Sequence, residues 1–305
     1  MSTILITGTK GFLGQNVASY FSENGWEVIG IGHGHFSLEE MKKYGLSEWY
    51  EGDITMDLLC SIKKNIDIVL HCAGGSSVSI AQNEPELDFL KTVLSISNLL
   101  RYISIYQRHA LVIYPSSAAV YGNSKSNYIS EEAPLNYLSF YGLHKKISED
   151  ICIFYSRYFG IRVKIIRFFS LYGDGLKKQL LWDTCQKIIS KNYHFTGSGF
   201  EKRDWLHVTD AARLIYLIGN SNRDEFEILN GGTGVGHTTS YVINRIFNLF
   251  ELTKKPIFSK SKIESDPNKL IANVSKIQSY CLFPLVSLDK GISSYVDWFK
   301  RQLHD

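Results

Sequence analysis

The chain has 305 residues, of which 44% are hydrophobic and 21% charged, and its formal net charge is +3. This composition is typical of a globular protein and excludes a disordered, fibrous or collagen-like chain. A charge so close to balance and so evenly spread argues against binding to nucleic acid, although a small positive excess suits an anionic small-molecule substrate.

Neither the amino terminus nor the cysteines indicate a membrane or an oxidising compartment. The sequence lacks a basic start followed by an apolar stretch and a cleavage site, and no run approaches about 18 apolar residues. The cysteines form no CxxC pair, so neither a zinc site nor a disulfide framework is indicated; they are Cys60, Cys72, Cys152, Cys185 and Cys281. We therefore expect a cytoplasmic protein without a membrane segment or a metal ion.

The first half of the chain alternates short β-branched runs with longer helical stretches, which predicts a parallel sheet with helices on both faces. Several of the runs are apolar on both alternating faces, as expected for strands that are covered on both sides. The predicted strands are residues 3–7, 27–32, 47–50, 67–72, 110–115 and 163–169. The predicted fold is therefore a doubly wound α/β sheet of the Rossmann type.

From residue 173 onward the alternation weakens, and helices at residues 179–190 and 241–250 are interleaved with Gly, Asn, Lys and aromatic residues. We expect a main domain over residues 1–172 and a smaller mixed lobe over residues 173–305, with some of its segments returning to the sheet. Ligands of open α/β sheets bind beyond the carboxyl ends of the strands, so the predicted site lies in the cleft between the two parts.

Three glycines follow the first predicted strand, Gly8, Gly11 and Gly14, and the helix after them begins near Phe12 and Leu13. Glycines let the turn tighten and let the amino terminus of the helix approach a pyrophosphate, which the exposed N–H groups and the helix dipole stabilise. The spacing G-x-x-G-x-x-G between a strand and an apolar helix predicts dinucleotide binding by the domain over residues 1–172.

The second predicted strand ends without the acid that normally hydrogen-bonds the adenosine ribose of NAD. Gly32 stands in its place, in the segment GIGHGH. A missing acid removes the repulsion of a 2′-phosphate, with which His33, His35, Lys42 or Lys43 could pair; alternatively, the histidines are ordinary surface residues. The pattern slightly favours NADP over NAD.

The segment EGDIT follows the third predicted strand. Asp53, with Ile54 beside it, is a candidate contact for the adenine of the cofactor. Alternatively, Asp53 caps the helix that starts near Thr55.

Tyr141 and Lys145 are four residues apart and share one face of a helix predicted to continue to about residue 158. A free tyrosine has a pKa of about 10 and is a poor acid or base at neutral pH, and a cation one turn away favours the phenolate. Such a pair also occurs on ordinary surface helices. The upstream strand ALVIYPSSAAVYG favours a catalytic role over a surface pair, because it ends with Ser116 and Ser117 where the predicted cleft lies.

With these residues the sequence resembles the extended short-chain dehydrogenase/reductase family, in particular its nucleotide-sugar epimerase, dehydratase and reductase branch. The resemblance covers essentially the whole chain. Its motifs are TGTKGFLG at the start, GDIT, HCAGGSSV, SSAAVYG, YGLHK, RFFSLYG and RDWLHVTDAA.

The resemblance implies that Ser117 hydrogen-bonds the reacting sugar oxygen, that Tyr141 is the general acid/base, and that Lys145 lowers the pKa of Tyr141 and holds the nicotinamide ribose. A turn-forming role for Ser117 is the alternative. Arg203 matches the family's arginine for the substrate diphosphate, a task that suits a planar guanidinium. Ser170 replaces the family's usual asparagine, which removes one expected substrate contact.

The resemblance also assigns Ser76 and Ser77 to the substrate site and implies a nucleoside-diphosphate sugar as substrate. It further implies a homodimer through the helices predicted at residues 86–107 and 141–158.

Two departures of this sequence from the family's motifs help to choose among the family's reactions. Dehydratases carry Thr-Asp-Glu where this chain has Ser117-Ala118-Ala119, which argues against a 4,6-dehydratase. Epimerases keep tightly bound NAD and the acid that Gly32 replaces. The leading hypothesis is therefore a 4-ketoreductase, and the alternative is a 4-epimerase. A non-catalytic NAD(P) sensor is the third hypothesis, which the intact Ser117, Tyr141 and Lys145 argue against.

Overall fold

The computed structural model describes residues 1–221, 225–259, 267–280 and 286–303. Cys281 lies outside the described residues. The strands are β1 Thr3–Thr7, β2 Glu27–Gly32, β3 Glu48–Glu51, β4 Ile68–His71, β5 Leu111–Ser117, β6 Arg162–Phe168, β7 Ser170–Tyr172, β8 His194–Phe195, β9 Lys202–His207, β10 Phe226–Gly231, β11 Gly236–Thr238, β12 Ile257–Phe258 and β13 Lys269–Leu270.

The helices are α1 Phe12–Glu23, α2 Leu38–Tyr44, α3 Met56–Ser61, α4 Val78–Asn83, α5 Pro85–Phe89, α6 Ser95–Tyr106, α7 Phe140–Phe159, α8 Gln179–Ile189, α9 Val208–Gly219, α10 Thr239–Leu249 and α11 Leu288–Arg301. A π-helical turn, Leu90–Leu94, joins α5 to α6, and short 3₁₀ turns lie at Ala118–Val120 and Ile277–Ser279.

Seven strands form one sheet in the order β3-β2-β1-β4-β5-β6-β10. The pairs that connect β1 to β6 are all parallel. The order 3-2-1-4-5-6 is that of the doubly wound dinucleotide-binding fold, so the predicted fold class is confirmed.

The sheet is covered on both faces, which explains why its strands are apolar at every position. Leu5 and Val112 belong to a buried cluster with Leu59 of α3 and Leu99 of α6. The opposite face meets α1 and α9, whose contact includes an edge-to-face ring pair between Phe21 and Tyr216.

The predicted and observed bounds agree closely for β1 and β2 and differ by one or two residues for the later strands. The single helix predicted over residues 86–107 is wrong in one respect, because a π-helical turn interrupts it. In that turn the hydroxyl of Thr92 accepts the N–H of Gly75 at 2.8 Å. The turn therefore connects the helix to the loop after β4.

Two compact units interleave along the chain. The first comprises residues 1–121, 135–168 and 212–229, and the second comprises residues 122–134, 169–211 and 230–305. The division of the chain at residues 172 and 173 stays a prediction.

The second unit contains a mixed sheet in the order β11-β9-β13, with β7 also paired to β9. β11 is antiparallel to β9, whereas β7 and β13 are parallel to it. The buried carboxylate of Asp204 accepts the N–H groups of Thr233, Gly234 and Ala272 at 2.7, 2.9 and 3.1 Å. Asp204 therefore fixes the loop between β10 and β11, and the expected smaller mixed lobe is observed.

Across the described ranges, no helix has both the length and the hydropathy needed to cross a bilayer. Within the same ranges, no group of three or more His, Cys, Asp or Glu side chains is arranged to hold a metal ion. Cys60, Cys72, Cys152 and Cys185 carry free thiols.

Candidate active site

The turn after β1 has room for glycine alone at two positions. Gly8 has a φ of +68°, and a Cβ on it would lie 2.6 Å from the backbone nitrogen of Ala73. A Cβ on Gly14 would lie 2.6 Å from the carbonyl oxygen of Gly8. Gly11 closes the turn by donating its N–H to the same carbonyl at 2.9 Å. The turn is therefore tight enough to start α1 beside the end of β1.

The amino terminus of α1 suits an anion. Its N-cap is Gly11, which has no side chain to cap the helix, and no acidic residue lies in the first turn. Phe12 and Leu13 are the first helical residues, and both are half-buried. The first N–H groups and the positive end of the helix dipole can therefore face a pyrophosphate, and the turn fits a dinucleotide on this ground.

The end of β2 differs from the sequence-based expectation, because Trp49 of β3 occupies the space beside Gly32. A Cβ on Gly32 would lie 2.9 Å from the Trp49 ring, and a Cβ on Gly30 would lie 3.0 Å from it. Phe36 packs edge-to-face against the same indole, with ring centres 4.7 Å apart. The absence of an acid at position 32 therefore has a steric reason, the bulk of the Trp49 ring, as well as an electrostatic consequence for the cofactor.

The histidine assigned to the cofactor already has an acidic neighbour. The Nε2 of His33 lies 3.1 Å from the carboxylate of Asp53, and the two side chains are 71% and 78% exposed. The alternative that Asp53 caps α3 is wrong, because Thr55 is the N-cap and accepts the N–H of Leu58. Ile54 buries its side chain in the core, and its carbonyl accepts the amide of Asn98 at 2.9 Å.

Lys10 is a cation of this region that the glycine spacing alone does not predict. Its Nζ donates to the carbonyl of His35 at 2.5 Å and lies 4.8 Å from the centre of the Phe36 ring. The signal in the sequence is a lysine between two glycines of the turn. Lys42 and Lys43 lie instead in the last turn of α2, where Lys43 covers the ring of Tyr44.

Ser117, Tyr141 and Lys145 are brought together where β5 ends and α7 begins. Gly142 permits this approach, because a Cβ on it would lie 2.8 Å from the carbonyl oxygen of Ala119. The hydroxyl of Ser117 is close enough to the phenol to lower the pKa of Tyr141. Ser117 also accepts the N–H of Ala119 at 3.2 Å, so it forms the turn and faces the phenol at the same time.

Lys145 is 7% exposed. Its Nζ donates to the carbonyl of Pro115 at 3.0 Å and lies 5.9 Å from the centre of the Tyr141 ring. It also lies 5.0 Å from the centre of the Tyr114 ring. The ammonium is therefore held by β5 on one side and by two phenol rings on the others.

Burial dominates the electrostatics of this pair. Burial raises the pKa of Tyr141, the hydrogen bond with Ser117 opposes that rise, and the carboxylate of Asp88 adds to it. Burial also lowers the pKa of Lys145 to about 8, against the influence of Cys72, Asp88 and Glu149. The resemblance leads us to expect a lowered Tyr141 pKa; the direction is reversed because burial, which disfavours the phenolate, is the largest influence on this phenol.

A buried charge pair holds β5, β6 and α7 in register. Glu149 and Arg167 are 0% and 3% exposed on their side chains, and the guanidinium donates to both carboxylate oxygens. The hydroxyl of Ser116 donates to Glu149 at 2.5 Å, and Arg167 donates to the hydroxyl of Tyr121 at 3.0 Å. Ser116, next to Ser117, is therefore structural in this position.

Besides Ser117, three serines are predicted to contact the substrate. Ser77 is the N-cap of α4 and accepts the N–H of Ile80, and Ser76 precedes it in the loop after β4. Ser170 begins β7 in the second unit, where its register partner on β9 is Trp205. Ser76 and Ser77 therefore belong to the unit of Tyr141, and Ser170 belongs to the other.

Arg203 lies on β9 of the second unit and is half-buried. Its guanidinium donates to the carbonyl of Lys202 at 2.9 Å. Its register partners are His237 on β11 and Leu270 on β13. The roles of Arg203 and of the serines in substrate binding stay predictions.

The shifted pKa of Lys145 predicts a pH-dependent effect on stability. The folded value of about 8 lies below the ordinary 10.5, so burial of the charged form destabilises the protein below about pH 8, and this cost disappears as the pH rises toward 10.5. Lys145→Met should raise the free energy of unfolding at about pH 7 by about 2 kcal/mol, after a loss of about 1 kcal/mol for the bond to Pro115.

Urea unfolding of the cofactor-free protein at about pH 7 and about pH 10 measures this effect. Lys146→Met is the matched control, since Lys146 forms a partly exposed pair with Asp150 on the same helix. A gain for Lys145→Met that is as large at about pH 10 as at about pH 7 contradicts the prediction.

The model of the NAD dependent epimerase/dehydratase family matches residues 4–232. A putative UDP-glucose 4-epimerase of Methanocaldococcus jannaschii is 27% identical, over 98% of this chain and 98% of that protein. The CDP-paratose 2-epimerase of Salmonella typhi is 28% identical, over 97% of this chain and 98% of that protein.

Among solved structures, that of the UDP-glucose 4-epimerase of Thermotoga maritima with UDP-glucose superposes with a TM-score of 0.89. It covers 99% of both chains at 24% sequence identity, and at this identity the likeness shows the fold. The family match extends over most of the chain and includes the glycine turn and Ser117, Tyr141 and Lys145. The chain therefore belongs to the NAD dependent epimerase/dehydratase family, as its motifs predict.

Proposed function

We propose that this chain is a nucleoside-diphosphate-sugar 4-epimerase that works with a bound dinucleotide. The observation that carries the proposal is the convergence of Ser117 at the end of β5 with Tyr141 at the start of α7 and the buried ammonium of Lys145, 5.9 Å from the Tyr141 ring, in the unit that carries the glycine turn. The M. jannaschii relative is named as a putative UDP-glucose 4-epimerase, which supports epimerisation at C4.

The residues of this chain supply the proton chemistry. The hydroxyl of Ser117 holds O4 of the sugar, and the phenolate of Tyr141 takes the O4 proton while the C4–H bond breaks. A bound nicotinamide supplies the acceptor for the C4 hydride and returns it. Tyr141 gives the proton back to O4 when hydride reaches the opposite face of the 4-keto sugar, so the net change is inversion at C4.

Lys145 and the glycine turn bind rather than react. In the proposal Lys145 holds the nicotinamide ribose and the pyrophosphate binds at the start of α1, which the tight turn through Gly8, Gly11 and Gly14 supports. Arg203 and Ser170 are the proposed contacts for the substrate diphosphate and sugar, together with Ser76 and Ser77. A guanidinium suits the diphosphate because it donates in parallel to two oxygens.

Tyr141→Phe should abolish turnover and leave the cofactor content of the purified protein unchanged. General acid/base catalysis contributes about 100- to 10,000-fold, and the change removes the transferable proton with almost no surface. The assay is inversion at C4 of UDP-, dTDP-, GDP- and CDP-sugars without added cofactor, with nicotinamide measured after denaturation.

Tyr128→Phe is the control, because Tyr128 is 60% exposed and belongs to the other unit of the chain. A loss below about tenfold in Tyr141→Phe contradicts the acid/base role. A protein that arrives without nicotinamide and inverts no sugar contradicts the epimerase. If it still binds added cofactor, the non-catalytic sensor gains support.

A 4-ketoreductase is the second candidate, and the charge near the end of β2 favours it. No carboxylate stands at Gly32, and the ammonium of Lys10 reaches within 3.8 Å of the Cβ position on Gly34. The ammonium of Lys10 suits the 2′-phosphate of NADP, although Glu40 interacts with it electrostatically, and Asp53 beside His33 weakens the attraction there. NADPH is consumed and exchanged in a reduction, while an epimerase returns its hydride.

Lys10→Met should lower kcat/KM for NADPH relative to NADH by about tenfold if the ammonium contacts a 2′-phosphate, since one exposed charge-assisted contact is worth about 1.4 kcal/mol. The comparison is made at one ionic strength, with Lys43→Met on α2 as the matched control. Equal losses with both cofactors contradict the contact. A wild-type preference for NADH removes the charge-based support for the ketoreductase and favours the epimerase.

We also propose a homodimer, on the ground of exposed apolar side chains along α5, α6, the π-helical turn and α7. These are Leu87, Leu90, Leu94, Ile105, Phe154 and Tyr158. Exposed apolar residues that line two neighbouring helices indicate an interaction surface, and a second copy supplies the same stripe for self-complementary packing. The free thiols of the described cysteines support a location in the reducing cytoplasm.

Leu90→Glu should convert the dimer to a monomer, because it places a charge in the stripe. Leu90 is 53% exposed, so the change costs the folded chain little. Sedimentation equilibrium reports the mass as one or two copies of the 34.7 kDa chain. Leu38→Glu on α2 is the control, since Leu38 is 85% exposed outside the stripe. A wild-type monomer contradicts the proposal.

A further inference from the structure

A buried, hydrogen-bonded pair of a carboxylate and an imidazole lies beside Tyr141 and is not used by the mechanism above. Asp88 of α5 is 3% exposed, and His144 of α7 is 5% exposed. The Nδ1 of His144 lies 2.6 Å from the carboxylate of Asp88. A buried carboxylate is costly without a hydrogen-bond partner, so the pair requires an explanation in terms of what it does for the fold or the site.

The pair joins three segments around the acid/base residue. The second carboxylate oxygen of Asp88 fills the space beside Gly75, where a Cβ would lie 1.7 Å away. His144 follows Tyr141 by three residues on α7 and so lies on the same helical face. The rings of Phe89 and Phe140 lie 5.5 and 6.0 Å from the imidazole and cover it.

The charge of Asp88 reaches both titrating groups of the site. It raises the pKa of Tyr141, where burial is the larger cause, and it also opposes the lowering of the Lys145 pKa by burial. The hydrogen bond from His144 disperses this negative charge. The pair therefore determines how much negative potential Tyr141 experiences from α5.

Other ionisable groups face this site from the packed elements. Lys145 and Glu149 lie on α7 with Cys152, Cys72 follows β4, and Tyr114 lies on β5. Glu149 is compensated by Arg167, and burial raises the pKa of Cys72 to about 12, so that thiol stays neutral at ordinary pH. Among the described residues, Asp88 is the acid whose negative charge raises the pKa of Tyr141.

We propose that Asp88 and His144 are positioning residues that set the proton affinity of Tyr141 through their hydrogen-bonded contact and their place one turn along α7. The inference rests on the proposed function only in that Tyr141 is the acid/base of the reaction. A high proton affinity stabilises the protonated phenol, which is the form that returns a proton to O4.

The two halves of the pair should have opposite effects. Asp88→Asn removes the negative charge from a group of the same shape, so the phenolate becomes easier to form and the Tyr141 titration moves to lower pH. His144→Leu removes the donor and leaves the carboxylate unshielded, so the titration moves to higher pH. His144→Asn keeps an N–H where Nδ1 stands and should restore a midpoint near that of wild type.

The experiment is a pH titration of the protein as purified, labelled with [¹³Cζ]tyrosine and followed by NMR. The Tyr141 resonance is assigned by its absence from Tyr141→Phe. Opposite displacements in Asp88→Asn and His144→Leu, with rescue by His144→Asn, support the proposal. Displacements in the same direction, or none in a folded Asp88→Asn, overturn it.

If Asp88→Asn does not fold, the double variant Asp88→Asn, His144→Leu replaces the whole pair with neutral groups and should titrate below wild type. A midpoint at or above that of wild type overturns the proposal. The acid limb of the kcat profile for C4 inversion is recorded in parallel and should move with the NMR midpoint. An NMR displacement without a matching shift of that limb contradicts the role of Tyr141 in the reaction and leaves the electrostatic inference intact.

Discussion

The contact between Glu149 and Arg167 is the constraint on which the arrangement of Ser117 and Tyr141 depends. Either ion alone would be prohibitively costly where it lies, and three hydrogen bonds join the two side chains between α7 and β6. Because Ser116 donates to the same carboxylate, the end of β5 is held at a set distance from α7. The separation of Ser117 from Tyr141 follows from that distance.

The site is built from groups whose ionised forms the fold disfavours. Burial moves the Tyr141 pKa up and the Lys145 pKa down, so the fold disfavours the charged form of each residue, although Lys145, with a pKa of about 8, is still mostly an ammonium at pH 7. Such an arrangement stores unfavourable desolvation energy at the place where charge is transferred. A positively charged nicotinamide beside the phenol would favour the phenolate and would therefore activate Tyr141 when the cofactor is bound.

The sequence was sufficient for elements whose signal is local. β1 and β2 are apolar at successive positions, and the glycines after β1 have a steric role that spacing reveals. Contacts that depend on strand register could not be read in the same way. Trp49 meets Gly30 only because β3 pairs with β2 in that register, and His33 reaches Asp53 across the same pair of strand ends.

Other features that the sequence did not predict arise from tertiary contacts between distant segments. The π-helical turn before α6 gives no periodicity signal, since its effect is to bring Thr92 to Gly75. The Asp88–His144 pair could not be predicted from the sequence either, because an acid and a histidine 56 residues apart form no recognisable motif. The sequence places Ser117, Tyr141 and Lys145 because a motif connects them, and it misses Lys10 because that residue differs from its neighbours only by charge.

The packing of Trp49 against Gly32 has a consequence for how this lineage can change its coenzyme. A new side chain at position 32 meets the indole first, so an acid cannot be acquired there without a prior or simultaneous loss of bulk at position 49. The indole is itself wedged against Phe36, which limits its freedom to move aside. Mutational paths between the two coenzyme types therefore pass through position 49, and the two sites should drift as a pair among close descendants of this chain.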